Sequence, residues 1–306
     1  MKHIVKIGCL ALSLLLSAAV TTAAATTTED AAEEARADTR AREIMGEVFD
    51  RYQGESRISS MSLITCEYAV VDGRISCASQ KRTKVLQSFV KNFGESLKDS
   101  KGFTHIVEPV ADRGISILQY DYEDRNRDTD QWLYLPDLQK VKRIASDGSA
   151  PKKGSLFGSE FALEDIERPK LEEYQYQLLE EKTVGTRKVA VIEQTPSKAR
   201  ASRTNYSKQV VWVDTERNLV VKTEYYGWDH KLMKVRQSGA IKKIDDIWTV
   251  GKEVMRNLET QRISEISYLN VNYNQTIDDE MLTQRMLVDP VFRESKLNQV
   301  TLTSLD

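Results

Sequence analysis

From residue 62 to residue 273 the chain is a succession of short stretches in which apolar and polar residues alternate, and nearly every link between them is hairpin length. Alternation with period two puts one set of side chains on a buried sheet face and the other in water. Links this short can join only antiparallel neighbours, because a parallel pair needs a crossover of a dozen or more residues. No helix-sized crossover interrupts the series, so layered β/α architectures are excluded. Strands are expected at residues 62–71, 74–93, 103–107, 115–122, 131–135, 140–144, 174–181, 188–194, 209–214, 219–226, 232–241, 247–255 and 263–273. The fold class is mainly β, an antiparallel meander.

Helix is expected at the two ends. Residues 29–52 open with Glu29, Asp30, Glu33 and Glu34, which suit a helix N-terminus. Ile44, Met45, Val48, Phe49 and Tyr52 then recur at three- and four-residue steps, a single apolar stripe suited to covering a sheet. Asp278 is an N-cap candidate for one or two helical turns over residues 278–286, and residues 295–306 read as a tail.

Ahead of the first helix, Lys2 and Lys6 precede an apolar run over residues 8–20, and Ala23, Ala24 and Ala25 supply small residues for cleavage before Thr26. This pattern predicts a signal peptide over residues 1–25 and a single exported domain over 26–306. The apolar run is too short to span a bilayer comfortably. Cys9 stands at the start of this run and not after it, which is not where a lipidated cysteine stands. Of the cysteines, Cys66 and Cys77 remain after cleavage and flank a hairpin turn at Asp72-Gly73. In an oxidising compartment they are expected to form a disulfide, two free thiols being the alternative. A two-residue turn would set Cys66 opposite Ser79, whereas a four-residue loop over 70–73 would set the cysteines opposite each other.

Little in the sequence speaks for catalysis or for nucleic acid. Of 44 Lys and Arg, 42 remain after removal of Lys2 and Lys6, against 46 Asp and Glu. That balance is unlike a nucleic-acid binder's. His105 and His230 stand without carboxylate or thiol neighbours at ligand spacing, so neither a metal site nor another cofactor is expected. A Gly-x-Ser-x-Gly elbow is missing, and Lys152-Lys153-Gly154-Ser155 lacks the glycine framework of a phosphate loop. The pairs Asp245-Asp246 and Asp278-Asp279 read as a turn and a cap. The expected role is binding, without enzymatic activity.

The informative stretch is residues 130–169. Gln131-Trp132-Leu133-Tyr134-Leu135 is a strand stopped by Pro136, and residues 140–144 alternate charge and apolar side chain. A Gly/Ser/Lys loop follows, and then Leu156, Phe157 and Phe161 stand among Gly158 and Ser159. Large apolar side chains on a loop need an apolar surface to cover, so the segment is expected to be a hairpin carrying a lid. The order DQWLYLP, KVKRIAS, basic loop, FGSEFALEDI resembles the outer-membrane lipoprotein-sorting protein family of the LolA-like superfamily. The resemblance runs from about Glu43 to Pro290, with Glu160 where the family favours Asp. It implies a periplasmic, half-open antiparallel β-barrel with the N-terminal helix and the lid in or over its concave face. Its cargo would be a lipid or a lipoprotein acyl chain, its partners an inner-membrane exporter and an outer-membrane acceptor, its state monomeric. A periplasmic sensor of mislocalised lipid or lipoprotein, or an accessory lipid-binding subunit of a hydrophobe exporter, is the alternative. The aromatic surplus names candidate lipid contacts: Trp132, Tyr134, Leu156, Phe157, Phe161, Trp212, Tyr225 and Trp228. Arg143, Lys152 and Lys153 are the lid and headgroup candidates.

Overall fold

The computed structural model describes residues 19–145 and 150–300. Most of the expected signal peptide, part of the basic loop and the last residues of the expected tail lie outside them. Helix α1 spans Ala19–Asp50. Strands β1 (Ser56–Val71), β2 (Arg74–Cys77), β3 (Arg82–Phe93), β4 (Asp99–Glu108), β5 (Ser116–Asp121), β6 (Asp130–Leu135) and β7 (Lys140–Ile144) form the first half. The second half holds β8 (Tyr174–Val184), β9 (Arg187–Pro196), the single turn α2 (Lys198–Ala201), β10 (Lys208–Asp214), β11 (Leu219–Tyr226) and β12 (Leu232–Gly239). The short pair β13 (Lys242–Ile244) and β14 (Ile247–Thr249) follows, then β15 (Lys252–Asn257), β16 (Arg262–Tyr273), α3 (Gln284–Val288) and α4 (Pro290–Leu297).

All strands but β13 and β14 join one antiparallel sheet of fourteen strands. Its order is β7-β6-β5-β4-β3-β1-β16-β15-β12-β11-β10-β9-β8, with β2 extending β1. The path ends at β7 and β8 without their pairing, so the barrel is open. It is two meanders joined back to back, because β1 pairs with β16 from Arg57↔Tyr273 to Glu67↔Arg262. The expectation of one continuous meander missed this ladder.

Two expected strands are broken. The stretch over 74–93 divides into β2, which pairs with the tip of β1, and β3, which pairs with its body. The stretch over 247–255 divides at Gly251, whose N–H donates to the Ala240 carbonyl. A Cβ on Gly251 would lie 2.7 Å from that carbonyl oxygen, so only glycine allows the approach.

Along β3 to β6, neighbouring residues fall into two different cores. Leu86, Ile106, Ile117 and partly buried Leu133 face inward, toward the loop that carries Leu156, Phe157 and Phe161. Phe89, Phe103, Leu118, Trp132 and Tyr134 face outward, beneath Ile277, Met281, Leu282, Met286 and Leu287 of the C-terminal segment. In the second half, α1 lays Ala41, Ile44 and Met45 on Tyr176, Ala190, Ile192, Val211 and Val213. Asp278 caps the C-terminal segment by accepting from the Glu280 N–H. Residues 290–297, part of which was expected to be tail, are helix, so the outer face has a cover that the sequence reading did not supply.

Cys66 and Cys77 are bonded, with a Cα–Cα distance of 5.7 Å. The hairpin, however, turns on two residues, Asp72 (φ 50°) and Gly73 (φ 72°), and pairs Val71 with Arg74 and Tyr68 with Cys77. Positive φ at both central residues is the turn whose twist matches the strands it joins. The disulfide therefore crosses the hairpin diagonally, not through the four-residue loop considered above. Replacing both cysteines by alanine is expected to lower stability by about 2–3 kcal/mol, since the ring they close is short; urea denaturation checks this, and an unchanged midpoint would show that the ring constrains nothing.

His105, on β4, is buried on the outer face with its ring stacked 5.5 Å from that of Phe103. Its Nε2 lies 3.1 Å from Gln87 Oε1. Burial, helped by the charge of Arg293 on α4, lowers its pKa to about 4. The unfolded chain takes up a proton near pH 6.5 that the native state refuses, so stability is whole above that pH and falls as pH drops toward 4, by about 3 kcal/mol. His105→Gln should remove that part of the slope between pH 6.5 and 4; parallel stability curves for the two proteins would refute the assignment.

Candidate functional site: an inner face closed by a lid

Because β7 and β8 are the two ends of the sheet, the chain between them must travel from one edge to the other. Of that connection, residues 150–173 cross the inner face. The segment folds on itself as a small hairpin: Ser155 bridges Ala162, and the Leu156 N–H donates to the Phe161 carbonyl at 2.9 Å. Its tip is Phe157 (φ 51°) and Gly158 (φ 79°). A bulky residue at positive φ costs on the order of 1–2 kcal/mol, and here the cost is offset by what the turn aims inward. Leu156, Phe157, Phe161 and Leu163 pack against Leu63, Leu86, Ile106, Met255 and Ile266 on the sheet floor. This hairpin is the lid.

Polar bonds from both halves of the sheet pin the lid tip. Lys84 on β3 donates to the Phe157 carbonyl at 3.1 Å, and Lys234 on β12 to the Glu160 carbonyl at 3.0 Å. The Glu160 N–H donates to Ser264 Oγ at 2.9 Å. The Glu160 carboxylate accepts from Arg262 Nε at 2.7 Å and from Asn257 Nδ2 at 2.8 Å. All these side chains occupy inner-face positions, because Lys234 and Asn257 are cross-strand partners, as are Asn257 and Arg262.

Behind the tip, the sequence Leu163-Glu164-Asp165-Ile166-Glu167 turns its carboxylates into the protein. Glu167 meets Lys152 at 2.6 Å. Arg200 on α2 lies 3.5 Å from both Glu164 and Glu167. Asp165 accepts from the Tyr206 hydroxyl at 2.8 Å and from the Ala162 N–H at 2.7 Å. Burial pushes the Asp165 carboxyl above its ordinary range, against the opposing charge of Lys234. Glu167 is raised likewise by burial, against Lys152 and Arg200. The lid is thus apolar at its tip and ionic at its base.

Between α1 and the lid base lies a cavity of about 170 Å³. Met45 and Phe49 of α1, Val211 and Tyr225 form its apolar walls, and Gln194, Gln209, Thr223 and Arg236 supply polar groups. Tyr206 and Tyr225 pack ring to ring at 4.7 Å.

The lipid candidates read from sequence are dispersed. Leu156, Phe157 and Phe161 lie together on the inner face, and Tyr225 lines the cavity. Trp132 and Tyr134 stand on the outer face under the C-terminal segment, Trp132 edge-on to Tyr120 at 5.0 Å. Trp212 is on the outer face of β10, with Lys222 Nζ 3.9 Å over its ring. Trp228 is half exposed in the turn between β11 and β12, where its Nε1 donates to the Thr204 carbonyl. Lys152 is buried in the lid base, while Lys153 is exposed and Arg143, also exposed, pairs with Asp130 at 2.6 Å. The sequence reading passed over Tyr206, Gln194, Gln209 and Thr223. For Gln194, Gln209 and Thr223 the only signal was a polar residue within a strand, which reads equally well as a wet face, and Tyr206 stands outside the strands.

Among the described residues no group of three or more His, Cys, Asp and Glu could hold a metal ion, and no helix is long and apolar enough to cross a membrane. No curated protein matches the chain. A family model described as "-like: Uncharacterized protein" matches residues 98–289. A domain described as an outer membrane lipoprotein-sorting protein, from Vibrio parahaemolyticus, is 26% identical with a TM-score of 0.70, over 82% of this chain and 99% of that one. The chain belongs to the family that the matching model describes, and its fold is LolA-like. A DUF1329 family protein from Desulfovibrio piger shares the LolA-like fold at 24% identity and a TM-score of 0.72, over 82% of this chain and 99% of that one. So does a LolA superfamily protein from Nitrosomonas europaea, at 21% identity and a TM-score of 0.57, over 79% and 97%.

The Glu160 carboxylate joins the lid of this LolA-like chain to strands β15 and β16, so Glu160→Ala should loosen the lid while leaving the sheet intact. Hydrogen exchange over residues 155–163 is expected to quicken about tenfold or more, corresponding to the loss of one to two charge-assisted bonds, with β1 and β16 unchanged. Equal exchange in the two proteins would show that the pin contributes nothing.

Proposed function

We propose that this protein is a periplasmic carrier that holds a lipid or lipoprotein acyl chain on its inner face, in exchange for its own lid, and passes it toward the outer membrane. The observation that carries the reading is the occupancy of that face. Leu156, Phe157, Phe161 and Leu163 are buried against it, and the space left beside them is about 170 Å³. Pockets for drug-sized ligands run to about 300–1,000 Å³, so a full acyl chain enters only where the lid withdraws.

The energies suit reversible exchange. Burying an acyl chain of about 15 methylenes gains on the order of 12 kcal/mol gross. Withdrawing four large apolar side chains from the same surface forfeits about 1.5–3 kcal/mol each. The two quantities are comparable, so cargo is held only moderately and an acceptor can remove it. The lid serves as an internal stand-in for cargo, keeping the empty face out of water.

The likeness to the Vibrio parahaemolyticus lipoprotein-sorting domain supports this reading. The expected signal peptide supports a periplasmic location. On this view the protein works by binding and not by catalysis, with an inner-membrane exporter as donor and an outer-membrane protein as acceptor.

The test is to purify the mature protein, examine it by native mass spectrometry for retained lipid, then titrate the delipidated form with a fluorescent fatty acid. One bound chain per protein is expected. A ligand-free protein that also ignores the probe would sink the proposal. Phe157→Ala should bind the probe about tenfold more tightly, because removing the ring weakens the competitor for the face by more than 1.4 kcal/mol; weaker binding would mean that Phe157 holds cargo instead of standing in for it.

A further inference from the structure

The cavity beside the lid has a chemistry that a simple acyl slot would not need. It is lined on one side by Met45 and Phe49, but opposite them stand Gln194, Gln209, Thr223 and Arg236. Gln194 is 6% exposed. It donates through Nε2 to Gln209 Oε1 at 2.8 Å, while its own buried Oε1 has no hydrogen-bond partner. Arg236 Nε is likewise buried and without a hydrogen bond. A buried polar atom without a partner costs about 1–3 kcal/mol, so these two atoms, an acceptor and a donor on residues lining one cavity, mark a place where a partner belongs.

The charges around the cavity are already matched. Arg236 pairs with Glu253, Lys222 with Glu224 at 2.7 Å, Lys234 faces Asp165 at 3.9 Å, and Arg200 lies between Glu164 and Glu167. An anionic headgroup would enter beside three carboxylates of the lid base with no cation left over for it, and burying an unmatched charge is costly. A neutral group that both donates and accepts meets no such penalty. Size sets the other limit: a cavity of about 150 Å³ holds a benzene ring, and this one is about 170 Å³, room for about six heavy atoms.

We propose that this cavity is the headgroup subsite of the carrier, and that it takes the uncharged hydroxyl- or amide-bearing head of a neutral lipid, of about glycerol size, in preference to a phosphate or carboxylate head. The inference rests on the acyl-carrier reading above. The head hydrogen-bonds to Gln194 and Arg236, and the tail leaves past Met45 and Phe49 onto the face vacated by the lid.

The test compares three probes with one oleoyl chain: monooleoylglycerol, oleate and oleoyl lysophosphatidate. Each is titrated into the delipidated mature protein below its aggregation concentration. Monooleoylglycerol is expected to bind at least tenfold more tightly than either anion. Gln194→Leu, and independently Thr223→Val, should each weaken monooleoylglycerol about three- to tenfold and leave oleate within twofold, with circular dichroism reporting that each variant is folded. Anionic probes that bind as tightly as the neutral one, or variants that weaken all three probes alike, would overturn the subsite while leaving the carrier intact. If none of the three binds the folded protein, the carrier reading falls and the subsite with it.

Discussion

The pairing of β1 with β16 governs the rest of the molecule. It brings the first and last long strands of the sheet together at the centre, over eleven partnered residues. Each meander must then run outward, and the two edges β7 and β8 are left facing each other across an open mouth. The segment joining those edges lays Leu156, Phe157, Phe161 and Leu163 on the inner face. The strand order makes a connector between the edges necessary, and this one is oily.

The lid's two ends obey different physics. At the tip, apolar burial supplies the attraction, and five hydrogen bonds from both meanders fix the position. At the base, Glu164, Asp165 and Glu167 are buried among Lys152, Arg200 and Lys234. Buried ion pairs gain little net stability once desolvation is counted. What they give is geometry, since few positions satisfy every charge. The base is thus fixed by buried charge, and the tip by apolar burial together with the Glu160–Arg262 pair.

The cavity lies at the seam between these regimes. It borrows an apolar wall from α1 and a polar wall from β9 to β12, at the point where the ionic base gives way to the apolar tip. That is where an amphipathic guest, with one wet end and one oily end, finds both of its surfaces matched.

Local pattern determined the strands, the antiparallel order of neighbours, the stripe of Ile44, Met45, Val48 and Phe49 on α1, the disulfide partners and the presence of an oily lid. Each is written in residues close together in the chain, where spacing alone carries the information. The β1–β16 ladder could not be read this way, because its partners are some two hundred residues apart and any two alternating strands would pair as well. The same gap hid the side each aromatic would take. Trp132 and Phe161 look alike in sequence, yet one lies under the C-terminal segment and the other under the lid. A strand's period of two says that neighbours part company; only the assembled sheet decides which of them meets the inner face, because inside and outside exist only once the two meanders have come together.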